Sequence, residues 1–203
     1  APRPLNNIDG VRMSTALTYL SMARHRLNLT IKGDVLAHKI ILDGHRAVGV
    51  IAESGGEVFT IDADQVIVSS GAIASPQLLM LSGIGPKYHL DELGIETLQD
   101  LPGVGENLCD HPAAFALFKG DSEPPDVDAP NIQIGLRISP EGSPTDADLQ
   151  ISPILMSSEH APSSVVIDSD DFHFGISFAL QNARGKGRIK LASTDPRQQP
   201  DIN

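Results

Sequence analysis

The chain contains few of the residues on which disulfide, metal or membrane chemistry depends. Cys109 is the only cysteine in 203 residues, so no internal disulfide can form. Tryptophan is absent, and aromatic residues make up 4% of the chain. No apolar run approaches the roughly 18 residues that a membrane-spanning helix needs. Because a single free thiol fits a reducing compartment, we expect a cytoplasmic protein. Because no apolar run is long enough, we also expect no membrane-spanning segment.

Positive charge is scarce beyond the first fifty residues. Residues 51–203 carry eight Lys or Arg against twenty-three Asp or Glu, and the formal net charge of the whole chain is −11. Phosphate-rich partners are bound by basic surfaces, and the pattern here is the opposite. We therefore expect no nucleic-acid partner, and the acidic residues are typical of a solvated surface.

Several catalytic and metal-binding motifs are missing as well. The sequence has no G-x-S-x-G nucleophile elbow, no Walker loop and no H-x-x-H or H-E-x-x-H pair. The seven histidines are scattered, and one cysteine gives no metal-type pair. We expect no metal site, and we assign no catalytic residue within these 203 positions.

Local patterns in the first part of the chain predict alternating helices and strands. The expected elements are a helix over 14–26, a strand over 28–31, a hairpin of 35–42 with 47–52, and a strand over 57–61. Val66-Ile67-Val68 is short and continuously apolar, as is typical of a buried parallel strand. Ser75 as N-cap, Pro76 as first helical residue and Gly83 as stop predict a second helix, and 86–93 predict a third.

The second part of the chain has a different composition. Residues 119–148 are acidic and rich in proline, and they contain one strand candidate over 131–138. Further strands are expected over 149–156, 172–181 and 187–191. We predict a mixed α/β (α+β) fold in which part of a nucleotide-binding α/β domain leads into an antiparallel sheet.

A set of motifs follows one another in a fixed order along the chain. Residues 71–86 read GAIASPQLLMLSGIGP, and the other motifs are DGVR at 9–12, RAVGV at 46–50, DLPGVGENL at 100–108, DHP at 110–112, DP at 195–196 and PDI at 200–202. Together they resemble the glucose-methanol-choline (GMC) oxidoreductases, flavoenzymes that oxidise alcohols with FAD. The choline dehydrogenases belong to this group.

The resemblance implies a domain division and a cofactor. Residues 1–118 would be part of a Rossmann-like FAD-binding domain, and residues 119–203 part of the antiparallel-sheet domain that binds the substrate. The family's GxGxxG turn, which holds the FAD pyrophosphate, and its catalytic histidine near the C-terminus are both absent from this sequence. We therefore expect an internal fragment that alone neither retains FAD nor oxidises an alcohol.

The resemblance also implies cofactor-binding residues. Ala37 lies on the strand whose backbone contacts the adenine of FAD, Ser70, Gly71 and Ala72 lie near the adenosine part, and Asn107 lies on a loop that runs close to the flavin. Small residues let a backbone approach a ligand closely. The alternatives are an edge-strand alanine without a ligand and a turn that only lets the next helix pack on the sheet.

Three further residues have two interpretations each. Cys109 stands where the family more often has glutamine, and a packed or inert thiol is favoured over a nucleophile because the family chemistry is hydride transfer. His111 either approaches the flavin or caps neighbouring carbonyls in a turn. His173 alternates with Phe172 and Phe174, which points it to the opposite face of a strand, where it is either an ordinary core or surface residue or a residue of the substrate cavity.

In the family, a histidine removes the hydroxyl proton of the substrate and a hydride passes to the flavin. The resemblance thus implies a small-molecule alcohol as substrate, with choline, another primary alcohol or a polyol all open. One alternative is an FAD-containing hydroxynitrile lyase, and another is a binding or structural domain without catalysis. The sequence does not predict an oligomeric state.

Overall fold

A computed structural model describes residues 2, 5–120, 132, 134–156 and 173–203. The helical segments are a π-helical turn Ala16–Leu20, α1 (Ser21–Ala23), α2 (Gly71–Leu81) and α3 (Lys87–Glu92). The strands are β1 (Asn7–Ile8), β2 (Val11–Arg12), β3 (Leu36–Asp43), β4 (Arg46–Ser54), β5 (Glu57–Asp62), β6 (Ile84–Gly85), β7 (Gln99–Asp100), β8 (Glu106–Leu108), β9 (Ala113–Lys119), β10 (Leu136–Ile138), β11 (Leu149–Met156), β12 (His173–Leu180), β13 (Gly187–Lys190) and β14 (Asp201–Ile202).

The chain forms two compact units, each built from two separate segments. Residues 30–109 and 185–203 form the first, which we call the core unit, and residues 1–29 and 110–184 form the second, which we call the sheet unit. Each structural unit therefore contains residues from both sides of the predicted boundary between residues 118 and 119. The assignment of residues 1–118 to cofactor binding and of residues 119–203 to substrate binding stays a prediction.

The core unit contains the expected hairpin. β3, β4 and β5 form an antiparallel sheet in that order, with Ile40 opposite Val50 and Ile51 opposite Thr60. Residues 35–42, 47–52 and 57–61 are rich in β-branched and aliphatic side chains and are separated by turns at Gly44 and Gly55, so the prediction of three strands is confirmed.

The helix that follows begins earlier than the sequence predicts. α2 starts at Gly71 and contains Pro76, so Ser75 is an internal residue rather than the N-cap. Gly71 has a φ of +85°, which lets the chain turn into the helix directly after the irregular segment 63–70. Pro76 has no N–H and cannot donate to the carbonyl of Ala72 four residues earlier, and the helix tolerates this loss within its first turns.

Two predicted strands are wrong. Residues 28–31 are irregular, and residues 66–68 belong to no strand within the described part of the chain. The side chain of Ile67 is 79% exposed. A parallel strand is stabilised by neighbours on both edges, so an apolar sequence alone does not form one where those neighbours are lacking.

The centre of the core unit lies where helices and two short sheets meet. Met80, Leu90, Ile189 and Leu191 are buried together, and Leu81, Leu93, Ile95, Val104 and Leu108 pack around them. β6 pairs with β7 in parallel, and β13 lies between β14 and β8. The predicted third helix is confirmed as α3, which ends before Gly94 at a φ of +68°.

His89 of α3 joins this core through its ring. Its Nε2 accepts a hydrogen bond of 3.0 Å from the backbone N–H of Leu191, so Nε2 carries no proton, and Nδ1 lies 3.8 Å from the carboxylate of Glu92. Burial, followed by the positive charge of Lys190, lowers the pKa of His89 below its ordinary value, and Glu92 opposes the shift. The neutral imidazole is the form that fits this site.

The sheet unit is an antiparallel sheet of order β10-β11-β12-β9. The strands predicted over 149–156 and 172–181 are confirmed as β11 and β12, except that Gln181 lies outside β12 and Phe172 is not among the described residues. The candidate over 131–138 forms only Leu136–Ile138, and residues 131 and 133 are not described. Residues 121–131 and 133 of the acidic segment lie outside the described residues.

The two faces of this sheet differ. Ser152, Ile154 and Gly175 are buried on one face. On the other, the rings of Phe118 and Phe174 stack with centroids 5.6 Å apart while remaining 50% and 46% exposed. Helices and parallel pairing in one unit and an antiparallel sheet in the other give the mixed α/β class that the sequence predicts.

Candidate ligand-binding cleft

A cleft of about 350 Å³ opens in the core unit beside the start of α2. It is lined by Ala72, Pro76, Gly105, Glu106, Asn107, Leu108, Cys109 and Ile189. These residues come from a helix N-terminus, a glycine-containing turn with its following strand, and β13. Two of the five predicted cofactor-binding residues, Ala72 and Asn107, thus lie in the same cleft although they are distant in sequence.

The start of α2 leaves backbone donors without a side-chain cap. Ser70 occupies the N-cap position, but its hydroxyl makes no capping hydrogen bond. Ser70, Gly71 and Ala72 are all exposed, and a Cβ added at Gly71 would meet no atom within 4 Å. Because the first N–H groups of a helix lack intrahelical acceptors, this end can bind a ligand oxygen.

Another part of the cleft lining depends on a close backbone approach at Gly105. Its carbonyl accepts a hydrogen bond of 2.7 Å from the N–H of Ile189, and a Cβ at this position would lie 2.3 Å from the carbonyl oxygen of Ile189. Asn107 follows with a φ of +61°, a left-handed conformation that asparagine tolerates better than most residues. Its exposed amide offers both a donor and an acceptor to a ligand.

Ala37 lies elsewhere in the core unit, on β3, and is not one of the residues lining the cleft. It pairs with Ala52 of β4, and the register shifts between Ala37 and Lys39. β3 is an edge strand of this sheet. On the side of β3 that does not face β4, the N–H of Ile40 donates a hydrogen bond of 2.8 Å to Oγ of Ser82 at the end of α2. The assignments of Ala37, Ser70, Gly71, Ala72 and Asn107 to a cofactor stay predictions.

The sequence favours a packed or inert thiol at Cys109, and the structure shows that the thiol is not packed. It is exposed at the rim of the cleft, with Sγ 3.3 Å from Nζ of Lys186 and 3.6 Å from the carbonyl oxygen of Gly185. The exposure follows from its position directly after β8, where the chain leaves the core unit. The nearby lysine belongs to a turn 77 residues away, which the local sequence pattern could not indicate.

Two histidines of the sheet unit follow the structural interpretations. Nδ1 of His111 lies 3.0 Å from the carbonyl oxygen of Leu180, so this ring caps a carbonyl as expected for a turn residue. His173 pairs across from Lys119 and Met156, on the face opposite to that of Phe174, as the alternation predicts. Its Nδ1 is buried without a hydrogen-bond partner among the described residues.

A larger hollow of about 440 Å³ occurs in the sheet unit but lacks comparable chemistry. It is lined by residues 19, 20, 22, 23, 26, 28 and 29 and contains none of the predicted cofactor residues. Among the described positions, His, Cys, Asp and Glu form no cluster of three that could hold a metal. Within the same positions, no helix combines the length and the apolar character needed to cross a lipid bilayer.

Comparison with known proteins agrees with this architecture. The sequence profile of the GMC oxidoreductases matches residues 4–113. A GMC-type oxidoreductase of Rhodococcus erythropolis, itself uncharacterised, is 37% identical over 202 residues, which are 98% of this chain and 38% of the relative. An oxygen-dependent choline dehydrogenase of Pseudomonas putida is 36% identical over 226 residues, covering 96% of this chain and 38% of the relative.

The fold also matches a solved structure. The crystal structure of pyridoxine 4-oxidase from Mesorbium loti superposes with a TM-score of 0.82 at 24% identity, over 100% of this chain and 40% of the oxidase. At that level of identity the likeness concerns the fold alone. The chain spans well under half the length of the relatives that it matches.

Proposed function

The chain belongs to the GMC oxidoreductase family, and on that premise we propose that residues 1–203 form the adenosine side of the cofactor site in an FAD-dependent alcohol oxidoreductase. The proposed substrate is a small-molecule alcohol, and the proposed location is the cytoplasm. The protein's resemblance to choline dehydrogenases favours choline or another primary alcohol over a polyol.

The cleft beside α2 is the observation that supports the proposal. Ala72, in the uncapped first turn of α2, and Asn107 both line it, and both are exposed. Ser70 and Gly71 directly precede Ala72 and are exposed as well. Small side chains at Gly71 and Ala72 let the backbone come close to a ligand. This donor set suits the hydroxyl and phosphate oxygens of an adenosine phosphate, so the residues present fit the FAD that the family uses.

When bound, FAD supplies the redox chemistry by accepting a hydride from the alcohol carbon. The residues of this chain bind and orient. Ser70, Gly71 and Ala72 would hold the adenosine part, Ala37 would contact adenine through its backbone, and Asn107 would contact the cofactor from the strand that also lines the cleft. No residue of this chain is assigned to proton removal from the substrate.

The proposal is tested in the full gene product by the substitution Ala72→Asp. A carboxylate at the cleft would repel the phosphate oxygens, so we expect flavin content on purification to fall by about tenfold or more. Ile73→Asp is the matched control, because Ile73 is an exposed residue of the same helix that does not line the cleft. Equal flavin content in the two variants would contradict the assignment of the cleft.

A second experiment separates oxidation from other chemistry. If the full gene product is an alcohol oxidoreductase, anaerobic addition of a primary alcohol such as choline bleaches the flavin absorbance. A flavoprotein whose absorbance no alcohol changes, but which cleaves a cyanohydrin, would instead be a lyase. The isolated 203-residue chain is expected to purify without stoichiometric flavin, since the pyrophosphate-binding glycine motif is not in it.

A further inference from the structure

A part-buried carboxylate in the core unit joins three segments that are remote in sequence. One oxygen of Glu53, Oε2, lies 2.9 Å from Nε2 of His38, and the other, Oε1, accepts a hydrogen bond from Nη2 of Arg197. The Glu53 side chain is only 13% exposed. Both carboxylate oxygens therefore contact side chains of the protein itself, and Glu53 has a structural role rather than binding a ligand.

His38 is the extra residue of a β-bulge. Ala37 lies opposite Ala52 and Lys39 lies opposite Ile51, so His38 has no counterpart on β4. A bulge leaves one residue outside the regular ladder and redirects the strand around it, and such features are frequent beside binding sites. The side-chain contact with Glu53 of β4 fixes a residue that the backbone ladder leaves unpaired.

Arg197 is itself held in place. It lies in a turn where its N–H donates 2.9 Å to Oδ1 of Asp195. The amide of Gln77, on α2, donates 2.8 Å to the carbonyl oxygen of Gln198 in the same turn. The chain of contacts from Arg197 through Glu53 to His38, which we call the tether, thus connects the turn at 195–198 and α2 with the bulge on β3.

The hydrogen bond from Arg197 is the main cause of a lowered pKa of Glu53, assisted by the charges of Arg197 and His38 and opposed by burial. The carboxylate is therefore ionised at neutral pH. An ionised acceptor with two oxygens is needed here, because a neutral amide offers only one oxygen and cannot accept from both partners in this arrangement.

We propose that Glu53 is a positioning residue for an adenine nucleotide, because the tether holds the bulge so that the backbone of Ala37 is presented on the free edge of β3. An edge strand offers alternating N–H and C=O groups away from its partner, which match the adjacent donor and acceptor on the edge of an adenine ring. The inference rests on the proposed function and adds to it residues that no family motif contains.

The test compares Glu53→Gln, Arg197→Gln and the double variant in the full gene product stripped of flavin, with ADP as the probe. Calorimetry is expected to show an ADP Kd raised about three- to tenfold in each single variant, and no further loss in the double variant because both break the same tether. Arg197→Lys retains the charge and is expected to restore most of the affinity. Glu57→Gln, an exposed carboxylate of β5, is the matched control and leaves Kd unchanged.

Amide hydrogen exchange provides a readout that needs no ligand. Exchange at residues 36–40 is expected to speed up in Glu53→Gln and Arg197→Gln, while exchange at residues 57–62 stays as in the wild type. Unchanged exchange at 36–40, or a Kd within twofold of the wild type when the wild type binds ADP, would overturn the positioning role. Failure of the wild type itself to bind ADP or FAD would refute the proposed function, and is thereby distinguished from failure of the tether.

Discussion

The core unit and the sheet unit use different means to hold their chain together. Among the described residues, the buried apolar side chains of the core unit are Ile40, Ala52, Met80, Leu90, Ile189 and Leu191, whereas Ile154 alone is buried to that degree in the sheet unit. Both units contain long antiparallel ladders, with eight residue pairs between β11 and β12 and seven between β12 and β9 in the sheet unit, and seven between β3 and β4 in the core unit. The core unit therefore adds a buried apolar cluster to its ladders, whereas the sheet unit relies mainly on backbone pairing. One part of a chain can therefore form regular secondary structure without the buried apolar core that another part contains.

We therefore expect the core unit to be specified by close packing and the sheet unit by backbone pairing. Substitutions that disturb packing will then have large effects in the core unit and smaller effects on the open face of the sheet unit. The stability effects below are best measured by hydrogen exchange resolved for each unit, because a chain of two units need not unfold in a single step.

The largest effect is expected for Gly105→Ala. The new Cβ would lie 2.3 Å from the carbonyl oxygen of Ile189, and the φ of +85° is unfavourable for alanine. The two causes together should destabilise the core unit by about 3 kcal/mol or more. Gly103→Ala is the control, since a Cβ there meets no atom within 4 Å. Equal stability of the two variants would show that the backbone approach at Gly105 is not essential.

A pair of truncations compares the units directly. Met80→Ala removes a fully buried side chain and should cost about 2–5 kcal/mol. Phe174→Ala removes a side chain that is 46% exposed, so we expect about 1–2 kcal/mol, much of it from the lost stacking on Phe118. Unfolding by urea, followed by exchange in each unit, measures both. A larger loss for Phe174→Ala would reverse the comparison.

Acid should weaken the core unit through His89. Its pKa is lowered in the folded chain relative to the unfolded one, so the unfolded chain binds the proton more readily. Stability is then complete above the ordinary histidine pKa of about 6.5 and is lost as the pH falls below it towards the folded value. Protonation of Nε2 also breaks the hydrogen bond from the N–H of Leu191, so the free energy of unfolding of the core unit should fall by about 1–3 kcal/mol.

The variant His89→Gln provides the control for this pH effect. A glutamine oxygen can accept from the N–H of Leu191 but does not titrate near neutral pH. Measured between pH 7.5 and pH 5, the stability of the core unit should therefore depend less on pH in the variant than in the wild type. An unchanged dependence would assign the acid sensitivity to another group.

The smallest effect is expected at an exposed ion pair. Nζ of Lys87 lies 3.1 Å from Asp91 one helical turn later, with both side chains more than half exposed. Asp91→Asn should change the stability of the core unit by less than about 0.5 kcal/mol, and less still at high salt. A larger loss would mean that surface charge, rather than packing, contributes substantially to this unit.

The sequence predicts those elements whose signals are local. The hairpin at 36–54 and the strands β11 and β12 follow from alternating or β-branched runs between turn residues, and the end of α3 follows from Gly94. The strand predicted at Val66 to Val68 is wrong because strand pairing depends on neighbours that a local pattern does not contain. The start of α2 is wrong because Pro76 is tolerated inside the helix.

The site shows the same limit. Family motifs indicated Ala72 and Asn107, and the structure places both in one cleft. No motif indicated the tether, because Glu53 and Arg197 are 144 residues apart and meet only through the fold. The proximity of Lys186 to Cys109 could not be predicted for the same reason. Contacts between residues that are distant in sequence become visible only in the three-dimensional structure.

A single hydroxyl has a consequence for how this protein behaves among other proteins. Oγ of Ser82 donates 2.6 Å to the carbonyl of Leu78 and accepts from the N–H of Ile40, so it occupies a donor on the open edge of β3. Free edges of this kind are the sites at which sheets recruit further strands and aggregate. Because the N–H of Ile40 is already bonded to Ser82, it is not available to the carbonyl of an incoming strand.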